Sequence, residues 1–370
     1  ADTVGVVAGG VEQFRFGSNP IPGGGGANLL INGSMAVAQR GTVTGLGATN
    51  YVYFLDGWCH YAGYGSAIRY TASQDNSAGT TADSGWSLKI DITTADTATT
   101  ANLASAVIQK IEGQNLQHLQ YGSANAKAPT LSFWVSSPKS GSHCVALYAN
   151  DGNRSCPIEY TVASADTWEK ISVTFPGDTG ATVPPNDSTP YIHLVFPLHT
   201  GSTYEGTAGS WQSGEKYATS STVNIGDDAA NNFYLTDVQL EVGSVATDFA
   251  HEDVGTTLQK CQRYLTGFTN LGANAIITAA GTASSTTRAT VGFWYPTTMR
   301  AEPTLTATGS DFQLSDGASS TDMTAFSIAE QSHQMIALNC DVSSGLTQFR
   351  PYWLKQDGSS NRSFLLSAEL

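Results

Sequence analysis

From residue 27 to about residue 249, hydrophobic positions recur with a period of two rather than 3.6. Residues 169–175 (EKISVTF) are the clearest case, apolar and polar side chains alternating along the run. Such a segment buries one face and wets the other as a half-buried β-strand. Similar runs, enriched in β-branched and aromatic residues, occupy 86–92, 130–136, 144–148, 158–162, 191–196 and 233–241. Turn-rich stretches separate them, among them 138–141, Asp151-Gly152 and 177–187. Many short strands punctuated this way predict a sandwich or jelly roll. Residues 102–121 (NLASAVIQKIEGQNLQHLQY) break the pattern with apolar positions near helical spacing, and strand, helix and loop stay open there. Residues 200–224 form a long polar loop. The period changes at 254–267, where a threonine cap (Thr256 or Thr257) and a short apolar stripe predict a helix. Strand patterns resume at 275–278, 285–295, 304–307, 327–338 and 363–369. No repeat of fixed period is visible.

The two ends of the chain and its surface are distinct in composition. Residues 1–27 hold a strand-like piece near 11–16, then two prolines and four consecutive glycines, Gly23 to Gly26, which read as a linker or attachment segment. Only 13% of the 370 residues are charged, and the net charge is −14. Residues 1–250 carry 10 basic and 21 acidic groups, against 7 and 10 in 251–370. A surface of this sign repels phosphate backbones and anionic lipid, so neither nucleic acid nor membrane is an expected partner. No apolar run approaches the ~20 residues of a membrane span.

Catalytic signatures are missing: no GxSxG, HExxH, P-loop, GxGxxG or CxxC occurs. Asp227, Asp228, Glu205 and Glu215 read as solvated loop charges, and the chain is expected to be no enzyme. The five cysteines are scattered. Cys144 and Cys156 flank a turn, and two readings stay open for them, a cross-hairpin disulfide or free buried thiols. Stacking on sugar faces needs flat aromatic rings, and three groups offer them. Tyr204, Trp211 and Tyr217 lie in the long polar loop, where aromatics are poor candidates for core. Trp294, Tyr352 and Trp353 lie near the C-terminal end. The dense run from Tyr51 to Tyr61, followed by Tyr64, reads mainly as core around Trp58.

Four segments carry a resemblance. Phe233 to Tyr264 (FYLTDVQLEVGSVATDFAHEDVGTTLQKCQRY), Asn28 to Thr42 (NLLINGSMAVAQRGT), Met299 to Thr306 (MRAEPTLT) and Phe364 to Leu370 (FLLSAEL) resemble, in order and spacing, bacteriophage and prophage virion fibre proteins. That resemblance implies an all-β protein: a jelly-roll β-sandwich like a carbohydrate-binding module, a short linking helix and a smaller C-terminal β domain. The expected boundaries are 1–27, 28–250, 251–267 and 268–370. It further implies a homotrimer on the virion, made in the bacterial cytoplasm. Such a trimer would bind host surface polysaccharide and attach to other virion proteins through the N-terminal segment. The Cys261-Gln262-Arg263-Tyr264 motif is expected to be structural, with Arg263 paired to an acid. No cofactor is expected beyond a structural calcium, for which the resemblance points to Asn32 and Asp237. Met35-Ala36 stands where such a site would carry a further acid, which weighs against the ion. A head fibre or decoration protein is the alternative, ahead of a glycan-degrading enzyme or a secreted carbohydrate-binding module.

Overall fold

A computed structural model describes residues 4–8, 11–16, 28–47, 51–63, 65–78, 81–272, 274–358 and 362–370. The linker reading of Gly23 to Gly26, and Tyr64, fall outside the described residues. Strands Val4–Ala8 and Val11–Phe16 pair as an antiparallel hairpin.

The chain is all-β with one short helix, and its larger part is a two-sheet jelly-roll sandwich. One sheet has seven strands, in the order Gln212–Ser213, Arg154–Val162, Gly141–Ala149, Pro190–Thr200, Ala104–Glu112, Trp58–Ala62 and Val52–Leu55. The other has six, in the order Glu169–Thr174, Pro129–Ser136, Asn232–Val242, Ser87–Thr94, Arg69–Asp75 and Val43–Leu46. Alternation decides which side chains meet between them. Leu131, Phe133 and Val135 from one strand, and Leu88, Ile90 and Ile92 from another, turn inward to Trp58, Val145, Leu147, Leu194 and Phe196. Trp58 is fully buried, as its aromatic run suggests.

Residues 102–121 resolve into the strand Ala104–Glu112 and two short 3-10 turns. Nearly every residue of that strand is buried, because both faces of the central seven-stranded sheet are covered. A strand covered on both sides shows no alternation, which is why its sequence mimics a helix. The turn at Asn32-Gly33 packs on a bulge at Asp237, where the backbone turns to φ +49°. A Cβ on Gly33 would sit 2.1 Å from the Val238 carbonyl oxygen, so only glycine fits.

The helix runs Val254–Gln262 and is capped by Asp253, whose carboxylate accepts from the Gly255 and Thr256 N–H groups. The expected threonine cap is thus replaced by a stronger acceptor upstream. Beyond it lie a closed six-stranded barrel and a three-stranded sheet. The barrel runs in the order Gly281–Ala283, Arg288–Trp294, Met335–Val342, Ser320–Gln331, Phe312–Ser315 and Pro351–Gln356. The sheet has the order Leu265–Leu271, Arg362–Ser367, Thr304–Thr306. The expected strand at 327–338 is a tight hairpin, its turn closed by Ser332 N–H on the Met335 carbonyl. The expected strand at 275–278 is reduced to a single bridge at Ile276. This part has its own core, centred on Phe312, Leu338, Leu354, Phe364 and Leu366.

The two parts meet along the seven-stranded sheet. Arg263 donates twice to the buried Glu112 carboxylate, at 3.1 Å each, and the Tyr264 hydroxyl donates to it at 2.7 Å. The acid expected opposite Arg263 is therefore Glu112. Lys110 and Tyr53 both donate to the Leu370 oxygen at 2.7 Å, Arg300 donates to the Ala368 and Glu369 carbonyls, and Arg40 faces the Glu369 carboxylate at 2.9 Å.

Candidate functional site

The outer face of the seven-stranded sheet is rich in tyrosine. Tyr53, Tyr61 and Tyr148 point outward from it, with Ala104, Ala106 and Ala146 leaving space between them. The long loop after Thr200 fills that space. Its Tyr204 and Tyr217 stack face to face, 5.5 Å apart and 15° from parallel, and both meet Tyr61 edge-on. A bridge between Glu205 and Ala218 stitches the loop to itself, and Tyr217 N–H bonds the Tyr204 carbonyl. Tyr61 and Tyr217 donate their hydroxyls to one oxygen of Glu215, at 2.9 and 2.8 Å, and Tyr148 reaches the other at 3.5 Å.

These contacts correct the expectation that Tyr204 and Tyr217 face solvent. They are 8% and 3% exposed, and their ring faces are spent on each other and on neighbouring tyrosines. A tyrosine buries its ring at no polar cost when its hydroxyl finds a carboxylate, and Glu215 supplies one. Trp211 is half-buried against Tyr121, its indole N–H bonded to the Pro176 carbonyl at 2.6 Å. Beside Tyr61, ring centres 5.8 Å apart, Tyr51 remains 42% exposed with the Lys110 ammonium 3.8 Å from its ring centre.

The C-terminal group is not brought together. Tyr352 is core, its hydroxyl accepting from the Thr347 N–H, which corrects its candidacy as a ligand contact. Trp353 pairs with Ser315 and lies over Gly317, whereas Trp294, 68% exposed, pairs with Met335 on a different strand. The strand that carries Tyr352 and Trp353 runs Pro351–Gln356.

Asn32 and Asp237 do not converge on a cation site either. The Asn32 side chain is spent on Val37 and on the Asp56 carbonyl. Asp237 accepts from the Asp83 and Ser84 N–H groups, and burial raises its pKa. No cluster of three metal-ligating side chains occurs among the described residues. The open question at Cys144 and Cys156 closes on free thiols. Cys144 faces Glu159, Cys156 faces Leu147, and all five cysteines are free and buried. Burial pushes the Cys59, Cys156 and Cys340 thiols up to about 12, far from reactive thiolate.

The outer face of the six-stranded sheet is built differently. Pro129–Ser136 alternates, and its outward residues are Thr130, Ser132, Trp134 and Ser136. On one flank Trp134 pairs with Lys170, and on the other with Thr236. One pleat along, Tyr234 pairs with Ser136 and with Lys89. Trp168 immediately precedes the flanking strand, and its ring reaches across the small Ser136 to within 6.0 Å of the Tyr234 ring. Trp134, Trp168 and Tyr234 are half-buried, with their remaining surface open. Trp86, 42% exposed, sits beside them, its carbonyl accepting from Thr236 at 2.6 Å. The result is an aromatic shelf on a stiff sheet, edged by Lys89, Lys170, Asp83 and Asp91, while Thr130, Ser132, Ser136 and Thr236 are themselves buried. Flat rings flanked by hydrogen-bonding groups suit a ligand with alternating C–H faces and hydroxyls.

None of these shelf residues stood out in the sequence as a site, yet a signal was there. In an alternating strand the outward positions should be small or polar, and Thr130-Ser132-Trp134-Ser136 breaks that rule once, with a tryptophan. Asn232-Tyr234-Thr236 breaks it once with a tyrosine.

No family model matches the chain, and no curated protein matches it. Among solved structures it is similar to the enzymatically active domain of tailspike protein 4 of bacteriophage CBA120. The identity is 13%, covering 51% of this chain and 20% of that one, with a TM-score of 0.29. It thus spans only about a fifth of that tailspike chain. It is also similar to a putative sugar binding protein from Bacteroides thetaiotaomicron VPI-5482, at 14% identity, 59% and 100% coverage and a TM-score of 0.32. A third likeness is to a CBM4 module, at 16% identity, 57% and 98% coverage and a TM-score of 0.30. At these scores the likenesses carry no argument about ligand, activity or assembly.

Proposed function

We propose that the chain is a virion fibre protein that adheres to host surface polysaccharide without turning it over, and that the shelf of Trp134, Trp168 and Tyr234 holds the ligand. The shelf carries this reading. Two indoles and a phenol stay half-open on the solvent side of a rigid sheet, where burial would otherwise favour placing them inside. The four sequence segments that resemble phage fibre proteins support the virion setting. Each sugar contact on such a shelf is shallow and weak. A homotrimer, with several fibres per particle, would turn weak contacts into firm adhesion by raising effective concentration.

The test is affinity electrophoresis of the full chain through gels containing host surface polysaccharide, beside Trp134→Ala and Trp168→Ala. Retardation of the parent and its loss in both variants is the expected result. Free passage of the parent through every polysaccharide would remove the adhesin reading and leave the structural virion role. Release of sugar during incubation would overturn the absence of turnover.

A further inference from the structure

We infer that the shelf selects uncharged or amino-bearing polysaccharides and rejects acidic ones; this rests on the glycan reading of that face. Charge is unevenly distributed around the rings. Asp91 lies two residues beyond Lys89 on the same face, Asp75 two beyond Ser73 on the next strand, and Asp166 is held by its N–H on the Ser137 carbonyl, two residues before Trp168. Burial, and then these three carboxylates, hold the Tyr234 phenol above its ordinary pKa range. On the cationic side there are Lys89 and Lys170. Lys170 stands 3.9 Å from Asp83 and is therefore largely answered already. Lys89 lies between Tyr234 and Ser73 in the register, with Asp91 two residues along on the same face. Carboxylates thus outnumber ammoniums around the rings, on a chain whose net charge is −14.

Charges within about one screening length, roughly 8 Å at physiological salt, act on a ligand lying across the rings. An acidic sugar placed there meets like charge with no unanswered cation cluster to receive it. A neutral sugar meets the rings and is indifferent to the excess. An amino sugar adds an ammonium that the carboxylates and the ring faces both attract.

The experiment measures retardation of the full chain in gels of a neutral β-glucan, of alginate and of partially deacetylated chitin, at low and high salt. The expected result is glucan binding that salt changes less than about twofold. Binding to deacetylated chitin should weaken with salt, and alginate should bind measurably only at high salt. A second variant, Asp75→Asn with Asp166→Asn, should gain alginate binding at low salt and keep glucan binding, since neither side chain belongs to the ring shelf or its edge. Alginate binding at low salt as strong as glucan binding would overturn the charge selection while leaving the adhesin reading intact. No retardation in any of the three gels would remove the glycan reading and this selection with it.

Discussion

The two outer faces of the sandwich have nearly the same raw material and opposite fates. Each carries several aromatic rings on a flat sheet. Over the seven-stranded sheet, alanines between the tyrosines make room for the loop after Thr200, and Glu215 gives their hydroxyls a shared acceptor. The other end of that face is taken by Arg263, Tyr264 and Leu370 from beyond the sandwich. Over the six-stranded sheet, residues 247–250 fold back onto Gln239 and Glu241, and Trp134, Trp168 and Tyr234 keep part of their surface open. Aromatic content therefore does not mark a binding face. What marks it is whether the chain has supplied its own cover.

If that contrast is right, substitutions on the two faces should separate stability from binding. The largest effect is expected at Tyr217→Ala, which empties a packed site and leaves Glu215 without one of its donors. A loss of about 3 kcal/mol is expected in chemical denaturation, with shelf binding unchanged wherever the protein remains folded. A loss of binding that outruns the loss of folded protein would show that the tyrosine face takes part after all.

Next in size is Glu112→Ala at the seam. Removing that carboxylate strands the Arg263 guanidinium and the Tyr264 hydroxyl, for a cost of about 2 to 3 kcal/mol. Because the seam joins the sandwich to the following part, a split of one melting transition into two is the sharper sign. A single unshifted transition would mean the clamp contributes nothing.

A smaller effect, dependent on pH, comes from Glu369. Burial raises its pKa to about 7, although Arg40 stands beside it and pulls the other way. A carboxyl with a folded pKa above its unfolded one favours the folded state most when protonated. Its contribution is complete below about 4.5 and is lost as pH rises through 7. Stability should therefore fall by on the order of 1–2 kcal/mol between those values, and Glu369→Gln should flatten that part of the profile. Asp56, Lys110, Cys59, Cys261 and Arg300 surround the same junction, so the flattening in the single variant, rather than the bare slope, is the diagnostic. An identical slope in Glu369→Gln would assign the dependence elsewhere.

Much of the fold was legible in the sequence because burial on one face writes alternation into a strand. Residues 169–175 are read correctly for that reason, and the period change at 254 marks the helix. Ala104–Glu112 was illegible because it is covered on both faces, so its polar residues Ser105, Gln109 and Glu112 are buried with the apolar ones and follow no period of two. The candidate site was less legible still. Tyr204 and Tyr217 sit among glycine, serine and threonine, which signals a loop but says nothing about where it folds. Trp134 and Tyr234 sit in strands, where an aromatic suggests core until its parity is checked against Phe133 and Leu235. Parity along the strand carried the information that local composition did not.

The central claim is that the uncovered shelf, not the covered tyrosine face, holds polysaccharide. The most direct measurement compares the parent with Trp168→Ala in binding to host surface polysaccharide, alongside thermal melting of both and of Tyr61→Phe. The account predicts that Trp168→Ala weakens binding about tenfold, roughly 1.4 kcal/mol, and barely moves the melting temperature. Tyr61→Phe should instead lower the melting temperature and leave binding alone. Full binding by Trp168→Ala, or loss of binding in a folded Tyr61→Phe, would contradict it.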